Sequence, residues 1–237
     1  GLNYIDTYHR TGLYPLPLPS GIGLEGAGVV EAVGEGVTEV KVGDRVAYAG
    51  GPIGAYAEVR NIPAHRLLIL PDSIGFDTGA AMMLQGLTAA YLLRKTYRVQ
   101  PGDAVLIHAA AGGVGLIACQ WAKALGATVI GTVSTEIKAE LARQHGCDHV
   151  ILYTREDVAK RVRELTGGEG VAVVYDGVGK DTFMASIDSL RVRGMMAVFG
   201  HSHLQDHFLG SNASAQFSGD SAVTHDIDAV THTDDFR

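Results

Sequence analysis

Short apolar runs alternate with stretches of helical apolar spacing over residues 99–200. The runs are rich in Val, Leu and Ile and are short enough to be buried strands of a parallel sheet. The predicted strands cover residues 104–107, 127–133, 149–152, 171–176 and 195–199, and the predicted helices cover residues 116–125, 135–144, 157–165 and 181–190, the last ended by Gly194. This alternation predicts an α/β fold with a doubly wound parallel sheet.

A glycine-rich turn joins the first of these strands to the first helix. Ala110, Gly112 and Gly115 fall on the G-x-G-x-x-G pattern, with Ala110 in the place of the first glycine. Small residues let the backbone approach a pyrophosphate, and the N–H groups at the helix start bind it at the positive end of the helix dipole. The strand, turn and helix together predict a dinucleotide-binding Rossmann sheet, and a tight turn with a structural role is the alternative.

A different pattern precedes this region. Over residues 24–46, valines alternate with small or polar residues between glycine-containing turns, which is typical of short antiparallel strands in a β domain. Further strands are predicted over residues 45–48, 54–60 and 66–70, and a helix over residues 76–94. Gly86 weakens that helix and indicates close packing or a break, and a break would place Thr88 at a helix start. Residues 13–19 have proline at every second position, which predicts an extended connector.

Composition narrows the class of function. The net charge of −7, without a basic patch, argues against a nucleic-acid partner. No apolar run reaches about 18 residues and no leader peptide opens the chain, so neither a membrane span nor export is expected. Cys119 and Cys147 offer no disulfide framework, which indicates a reducing, cytoplasmic location, and both are expected to pack rather than react.

The end of the chain has a different character. Residues 201–237 contain many histidines and acids, few large apolar residues and no sustained period, which predicts a disordered tail. His201, His203 and His207 suggest a metal site only as the less favoured alternative, because no ordered scaffold is evident to hold one.

The residues after the second predicted strand indicate which dinucleotide is bound. NAD sites have an acid at this place, which accepts from the ribose 2′-OH. Here the position is Ser134, and Lys138 follows one helical turn later, while Glu136 is expected to point elsewhere. A hydroxyl and an ammonium group suit a 2′-phosphate, so the sequence favours NADPH over NADH. An ordinary solvated lysine is the alternative for Lys138.

Several segments resemble a known family. The zeta-crystallin-like quinone oxidoreductases contain stretches similar to NYIDTYHRTGLYPLPLPSGIGLEGAGVV, GDRVAY, GAYAE, QGLTAAYLLRKTY and HAAAGGVGLIACQWAKALGA. They form the zinc-independent branch of the medium-chain dehydrogenase/reductase superfamily. The resemblance implies a GroES-like catalytic domain, NADPH as cofactor, hydride transfer to a quinone and usually a homodimer. Leu24 stands where zinc-dependent relatives have a histidine, and two cysteines cannot form their four-cysteine zinc lobe, so no metal is expected.

The resemblance also implies roles for individual residues. Asn3 and Tyr8 resemble residues beside the nicotinamide and substrate, with Asp6 in support, although a turn with an Asx-type hydrogen bond is an equal alternative for this stretch. No residue is an obvious proton donor. The cofactor-binding positions implied by the resemblance and the glycine pattern are Thr88, Ala110, Gly112, Gly113, Val114, Gly115, Ser134, Lys138, Tyr153, Val178, Phe199 and Gly200.

These expectations divide the chain into a partial GroES-like domain over residues 1–75, a connecting helical region over residues 76–98, an incomplete Rossmann domain over residues 99–200 and the tail. Family members are longer at both ends, so strands at the start and the last sheet strand and dimer surface are expected to be missing. The function predicted is NADPH-dependent quinone reduction without zinc. The alternatives are an incomplete chain that at most binds NADPH and a related NADPH-dependent enoyl reductase.

Overall fold

The structure is a computed structural model that describes residues 1–200. The tail predicted for residues 201–237, with its histidines, lies outside the described residues. The chain divides into two compact units, Gly1–Leu87 and Thr88–Arg237. No helix within the described part has the length and apolar character needed to cross a membrane.

The first unit contains a small antiparallel sheet. Its strands are β1 (Glu25–Val29), β2 (Arg45–Ala49) and β3 (Leu68–Ile69), in the order β1-β2-β3, and helix α1 (Tyr4–Thr11) precedes them. The antiparallel pairing confirms the β character predicted from the alternating valines. Ala47 of β2 packs with Leu70 and Met83, so one face of the sheet is buried.

The strand predicted over residues 54–60 does not form. The N–H groups of Gly54 and Ala55 both donate to the carbonyl of Gly23, at 3.0 and 3.1 Å, and the guanidinium of Arg60 donates to the carbonyl of Pro52 at 2.7 Å. These backbone groups are therefore satisfied in loop geometry, and the segment has no ladder to join.

Helix α2 (Phe76–Tyr91) links the two units, and a π-helical turn (Leu92–Thr96) follows it. Gly86 does not break the helix. Thr88 is therefore a half-buried residue inside α2, and the expectation of a helix start at this position is wrong. The α-helical geometry continues because the apolar spacing of the segment runs through Gly86 without a change of period.

The second unit is built on five parallel strands in the order β6-β5-β4-β7-β8. The strands are β4 (Ala104–Ile107), β5 (Thr128–Val133), β6 (His149–Leu152), β7 (Val171–Asp176) and β8 (Leu190–Val198), and the helices between them are α3 (Gly113–Ala124), α4 (Glu136–Gln144), α5 (Val158–Leu165) and α6 (Phe183–Ser189). Along β4, Val105 and Ile107 enter one apolar cluster and Leu106 enters another. The sheet is thus covered on both faces, as a doubly wound fold requires.

Strand β8 begins earlier than predicted. Gly194 lies inside it and does not end the preceding helix, because a bulge in the β7–β8 pairing absorbs extra residues between Leu190 and Met195. A Cβ at Gly194 would lie 3.0 Å from the carbonyl oxygens of Arg191 and Val171, so the bulge favours glycine. Its glycine signal therefore marks an irregular strand and not a helix terminus.

The two cysteines pack in the core as predicted. Cys119 lies on α3 and Cys147 just before β6, with 0% and 6% of their surfaces exposed and their sulfur atoms 3.8 Å apart. The hydrogen bond with the Cys147 sulfur, together with burial, raises the pKa of the Cys119 thiol, which disfavours the reactive thiolate.

Candidate functional site

The strand order of the second unit reverses between β4 and β7. From β4 the chain moves outward through β5 and β6, and it then returns to place β7 and β8 on the other side. In open α/β sheets, ligands bind in the crevice at the carboxyl ends of the strands at such a reversal. The glycine turn after β4 and the loop after β7 border this crevice.

The glycine turn begins with an unusual backbone conformation. Ala109 has a φ of 51°, in the left-handed region, and the Ala110 N–H donates to the Thr132 carbonyl at 3.1 Å. Ala110 is fully buried, so the first position of the glycine pattern faces the protein interior. A non-glycine residue with this φ costs about 1–2 kcal/mol, and such strain is concentrated at functional sites.

Helix α3 presents its first N–H groups to this crevice. The Gly112 N–H donates back to Ala109, and the Leu116 N–H to the Gly112 carbonyl at 2.9 Å is the first bond of helical spacing in α3. The N–H groups of Gly113, Val114 and Gly115 therefore lie ahead of the intrahelical ladder. Gly112 and Gly113 are exposed, so the positive end of the helix is open to an anion.

Gly115 allows the turn to pack tightly on the helix. A Cβ at this position would lie 2.4 Å from the Ala109 carbonyl oxygen and 2.7 Å from that of Ala110. Both are backbone atoms, so only glycine fits without a shift of the turn. The final glycine of the pattern thus has the packing role expected of it in a dinucleotide-binding turn.

Ser134 and Lys138 come together at the carboxyl end of β5. Ser134 follows the strand directly, and the Lys138 ammonium donates to its hydroxyl at 3.4 Å. Glu136 lies 3.4 Å from the guanidinium of Arg155, so its carboxylate pairs with that cation. Tyr153 follows β6 on the neighbouring strand, and its side chain is 52% exposed. Ser134 and Lys138 thus form a hydroxyl-and-ammonium pair, and the Tyr153 N–H donates to the Val133 carbonyl, next to Ser134, at 3.2 Å.

Two contributors to this corner were missed from the sequence. Thr135 caps α4 by accepting the Lys138 N–H at 3.3 Å, and Arg155 brings a second cation to the end of β6. The Ser-Thr-Glu order at residues 134–136 is a helix-start signal that could have identified the cap. Arg155 carries no such pattern, because its place follows from strand pairing.

Val178, Phe199 and Gly200, three of the cofactor-binding positions implied by the resemblance, lie together beyond β7 and β8. The Phe199 N–H donates to the Asp176 carbonyl at 2.9 Å. A Cβ at Gly200 would lie 2.2 Å from the Gly177 carbonyl oxygen, so these two chain segments touch. Val178 follows in the same loop and is half-buried.

A buried polar chain, which the sequence did not indicate, lies beneath both loops. The ring nitrogens of His108 lie 2.9 Å from the Thr132 hydroxyl and 3.0 Å from the Ser186 hydroxyl, and Ser186 donates to Asp176 at 2.8 Å. His108 is 2% exposed, and Ser186 and Asp176 are fully buried. Desolvation lowers the pKa of His108, and the Asp176 charge opposes this shift.

In the first unit, Asn3 and Asp6 form the start of α1. The Asp6 carboxylate accepts the Asn3 N–H at 2.9 Å and the Tyr56 hydroxyl at 2.8 Å, and it is 2% exposed. The Asn3 side-chain amide donates to the Glu25 carboxylate at 2.6 Å. Glu25 also accepts the Leu84 N–H at 2.9 Å, so a buried acid fixes the orientation of the Asn3 side chain. The sequence signal for the role of Glu25 was its place as a single acid at the start of an otherwise apolar strand.

Tyr8 lies one turn further along α1, in a group of aromatic rings. Its ring makes edge contacts with Tyr4 and Tyr14, with centroids 5.4 and 5.3 Å apart. Burial raises the pKa of Tyr14, which favours its neutral form. Among residues 1–200, no three His, Cys, Asp or Glu side chains cluster as ligands for a metal ion.

Two family models match the chain. The alcohol dehydrogenase GroES-like domain matches residues 1–72, and the zinc-binding dehydrogenase model matches residues 113–223. The quinone oxidoreductase of Pseudomonas aeruginosa is 60% identical over 202 residues, which cover 85% of this chain and 62% of the relative. The chain belongs to the medium-chain dehydrogenase/reductase superfamily. The GroES-like match covers the small antiparallel sheet, and the zinc-binding dehydrogenase match covers most of the parallel sheet.

Other members of the superfamily extend the comparison. The crystal structure of Escherichia coli quinone oxidoreductase complexed with NADPH superimposes with a TM-score of 0.86 at 55% identity, over 89% of this chain and 65% of that chain. The 2-haloacrylate reductase of a Burkholderia species is 55% identical over 208 residues, which cover 85% of this chain and 62% of the relative. The chain thus spans about 62% of the length of these two curated relatives.

Proposed function

We propose that the chain carries the nucleotide-binding and substrate-binding elements of an NADPH-dependent reductase that acts on quinones without zinc. The observation that carries the proposal is the Ser134–Lys138 pair, 3.4 Å apart, on the same sheet edge as the glycine turn. Relatives named quinone oxidoreductases, one of them complexed with NADPH, support it.

The residues present fit a phosphorylated dinucleotide. The open N–H groups of Gly113 and Val114 would bind the pyrophosphate, and a hydroxyl with an ammonium group would bind the 2′-phosphate. Gly115 lets the turn pack closely against α3, which leaves these N–H groups at the surface of the crevice. When bound, NADPH supplies a hydride, so the chain itself has to bind, orient and exclude water.

A quinone suits a site of this kind because it accepts a hydride readily without a Lewis acid. Leu24, in the place where zinc-dependent relatives have a histidine, is buried and has no ligand atom. We propose that Asn3 and Tyr8 contact the substrate and the nicotinamide, and that Asp6 supports them by holding the start of α1. Glu25 is added to this set as the residue that orients Asn3.

The two buried thiols, Cys119 and Cys147, are free, which supports the reducing, cytoplasmic location predicted from the sequence. A homodimer stays a prediction from the resemblance.

A titration with NADPH and NADH tests the cofactor assignment. The Lys138→Ala variant should weaken NADPH binding about tenfold, the size of one charge-assisted hydrogen bond at a screened surface, and leave NADH binding unchanged. Lys160→Ala, which removes an exposed lysine from α5, is the matched control and should change neither. Equal weakening of both nucleotides by Lys138→Ala would contradict the assignment.

A second acceptor class has a specific observation in its favour. The relative named 2-haloacrylate reductase acts, by its name, on a 2-haloacrylate, a molecule that contains an activated carbon–carbon double bond. The same bound nucleotide would serve such an acceptor, as it would in an enoyl reductase. Steady-state oxidation of NADPH with 1,4-benzoquinone and with 2-chloroacrylate separates the two classes. Saturable NADPH binding without turnover of either would indicate a chain that only binds the nucleotide.

A further inference from the structure

The buried chain beneath the crevice has a fixed order of donors and acceptors. Ser186 has a single hydroxyl proton, and it donates this proton to the Asp176 carboxylate. Its oxygen must then accept from His108 Nε2–H, at 3.0 Å. In a neutral imidazole the other nitrogen, Nδ1, accepts from the Thr132 hydroxyl at 2.9 Å. The lowered pKa of His108 agrees with this neutral form.

This order of hydrogen bonds excludes a role for Ser186, His108 and Asp176 as the catalytic triad of a hydrolase. A serine nucleophile needs a histidine base whose far side is held by the acid. Here the serine stands between the acid and the histidine, and Ser186 and Asp176 have no exposed surface. These three hydrogen-bonded residues can therefore position backbone segments, but they offer no nucleophile to a ligand.

Asp176 fixes the shape of the loop over residues 177–182. Its Oδ1 atom accepts the N–H groups of Val178 and Gly179, each at 2.9 Å. The Thr182 hydroxyl donates to the same carboxylate at 2.7 Å. A carboxylate with this many local donors stabilises one loop conformation, because each bond would be lost if the loop opened.

His108 lies at the other end of this series of hydrogen bonds, directly before the glycine turn. Its own N–H donates to the Tyr175 carbonyl at 3.0 Å, so it is anchored to β7 as well. The series of hydrogen bonds thus joins His108, the first residue after β4, to Asp176, the last residue of β7, at the point where the strand order reverses.

The two halves of a dinucleotide lie on opposite sides of such a reversal. Ser134 and Lys138, at the end of β5, assign the adenosine half to the β5–β6 side. The nicotinamide half then extends over the ends of β7 and β8, where Val178 and Phe199 lie.

We propose that the His108–Ser186–Asp176 chain fixes the loop over residues 177–182 relative to the glycine turn, which makes its three members positioning residues for the nicotinamide half of NADPH. The inference rests on the proposed function, since it needs a dinucleotide in the crevice. It assigns a purpose to buried polar groups that an apolar core would otherwise not contain.

Ser186→Ala removes one oxygen atom and thereby interrupts the series of hydrogen bonds between His108 and Asp176. Ser189→Ala is the matched control, because Ser189 is also buried on α6 but donates only to the Ala185 carbonyl of its own helix. The assay is isothermal titration with NADPH and with adenosine 2′,5′-bisphosphate, which lacks the nicotinamide half.

Ser186→Ala should weaken NADPH binding about tenfold, the effect of losing one hydrogen bond, and leave the affinity for the bisphosphate unchanged. Ser189→Ala should change the affinity for neither ligand. A purely structural role would move both ligands together. Thr182→Val, which removes a different donor to Asp176, provides a second variant if Ser186→Ala does not fold, and the same selective loss is expected.

Equal effects of Ser186→Ala and Thr182→Val on the two ligands, or no effect on either, would overturn the inference and leave the proposed function intact. Absence of binding of both ligands to the unmodified chain would overturn the proposed function itself and the inference with it.

Discussion

Replacement of Gly115 by alanine is the most direct test of the glycine turn. The added Cβ would lie 2.4 Å from the Ala109 carbonyl oxygen and 2.7 Å from the Ala110 carbonyl oxygen. Carbon and oxygen do not approach this closely without overlap, and neither neighbour is a flexible side chain that could rotate away. The turn must therefore move away from α3.

The cost of this movement follows from its type. Overpacking that forces a backbone shift destabilises a protein by about 1–3 kcal/mol. For a chain of this size, each kcal/mol lowers the melting temperature by about 2–4 °C, so the expected decrease is roughly 2–12 °C. The N–H groups of Gly113 and Val114 move with the turn, so NADPH binding should weaken as well.

Gly86→Ala is the matched control. Gly86 lies inside α2, and a Cβ there would meet no atom within 4 Å. Alanine should stabilise the helix by about 0.5–1 kcal/mol through its higher helix propensity. Thermal unfolding followed by circular dichroism, with and without NADPH, compares the two variants. A Gly115→Ala variant with the melting temperature and NADPH affinity of the unmodified chain would refute the steric argument.

Two further predictions concern chemistry and pH. Tyr8→Phe should lower kcat for quinone reduction modestly, because water can protonate the reduced product; a loss beyond about 10⁴-fold would instead identify an essential acid. His108 is buried as a neutral imidazole that is bonded to Ser186, and burial lowers its pKa below the ordinary value of about 6.5. The unfolded chain therefore binds a proton that the folded chain does not. Stability should fall by up to about 1.4 kcal/mol per pH unit as pH decreases below about 6.5, a dependence that urea unfolding should find reduced in His108→Asn.

The parallel sheet was predictable because its central strands, β4, β5 and β7, are largely continuous apolar runs. Such a run is the direct consequence of a strand covered on both faces, and it needs no knowledge of its partners. The Ser134–Lys138 pair was predictable for a similar reason, since a spacing of four residues at a helix start brings side chains to the same side. Both signals are local, so the sequence contains them in full.

Helix α1 (Tyr4–Thr11) was not recognised because its first residues have two interpretations. Asn3 and Asp6 form either a turn or the start of a helix, and both use the same side-chain hydrogen bonds to the backbone. The helix is favoured because the Asp6 carboxylate also accepts a hydrogen bond from the Tyr56 hydroxyl, and the Asn3 side-chain amide donates to the Glu25 carboxylate. These partners are distant in the sequence, so no local pattern could decide between the two.

The buried chain beneath the crevice could not be predicted for a related reason. His108 and Ser186 are 78 residues apart, and each is a single polar residue at the edge of an apolar segment. An isolated histidine after a strand is equally compatible with a solvated loop. Only the strand order, with β4 beside β7, brings it within reach of Ser186 and Asp176. Because parallel strands are joined by long crossovers, groups that meet at their carboxyl ends are always distant in the sequence. The residues that orient a ligand at such an edge are therefore harder to identify from a single sequence than the glycine turn that binds it.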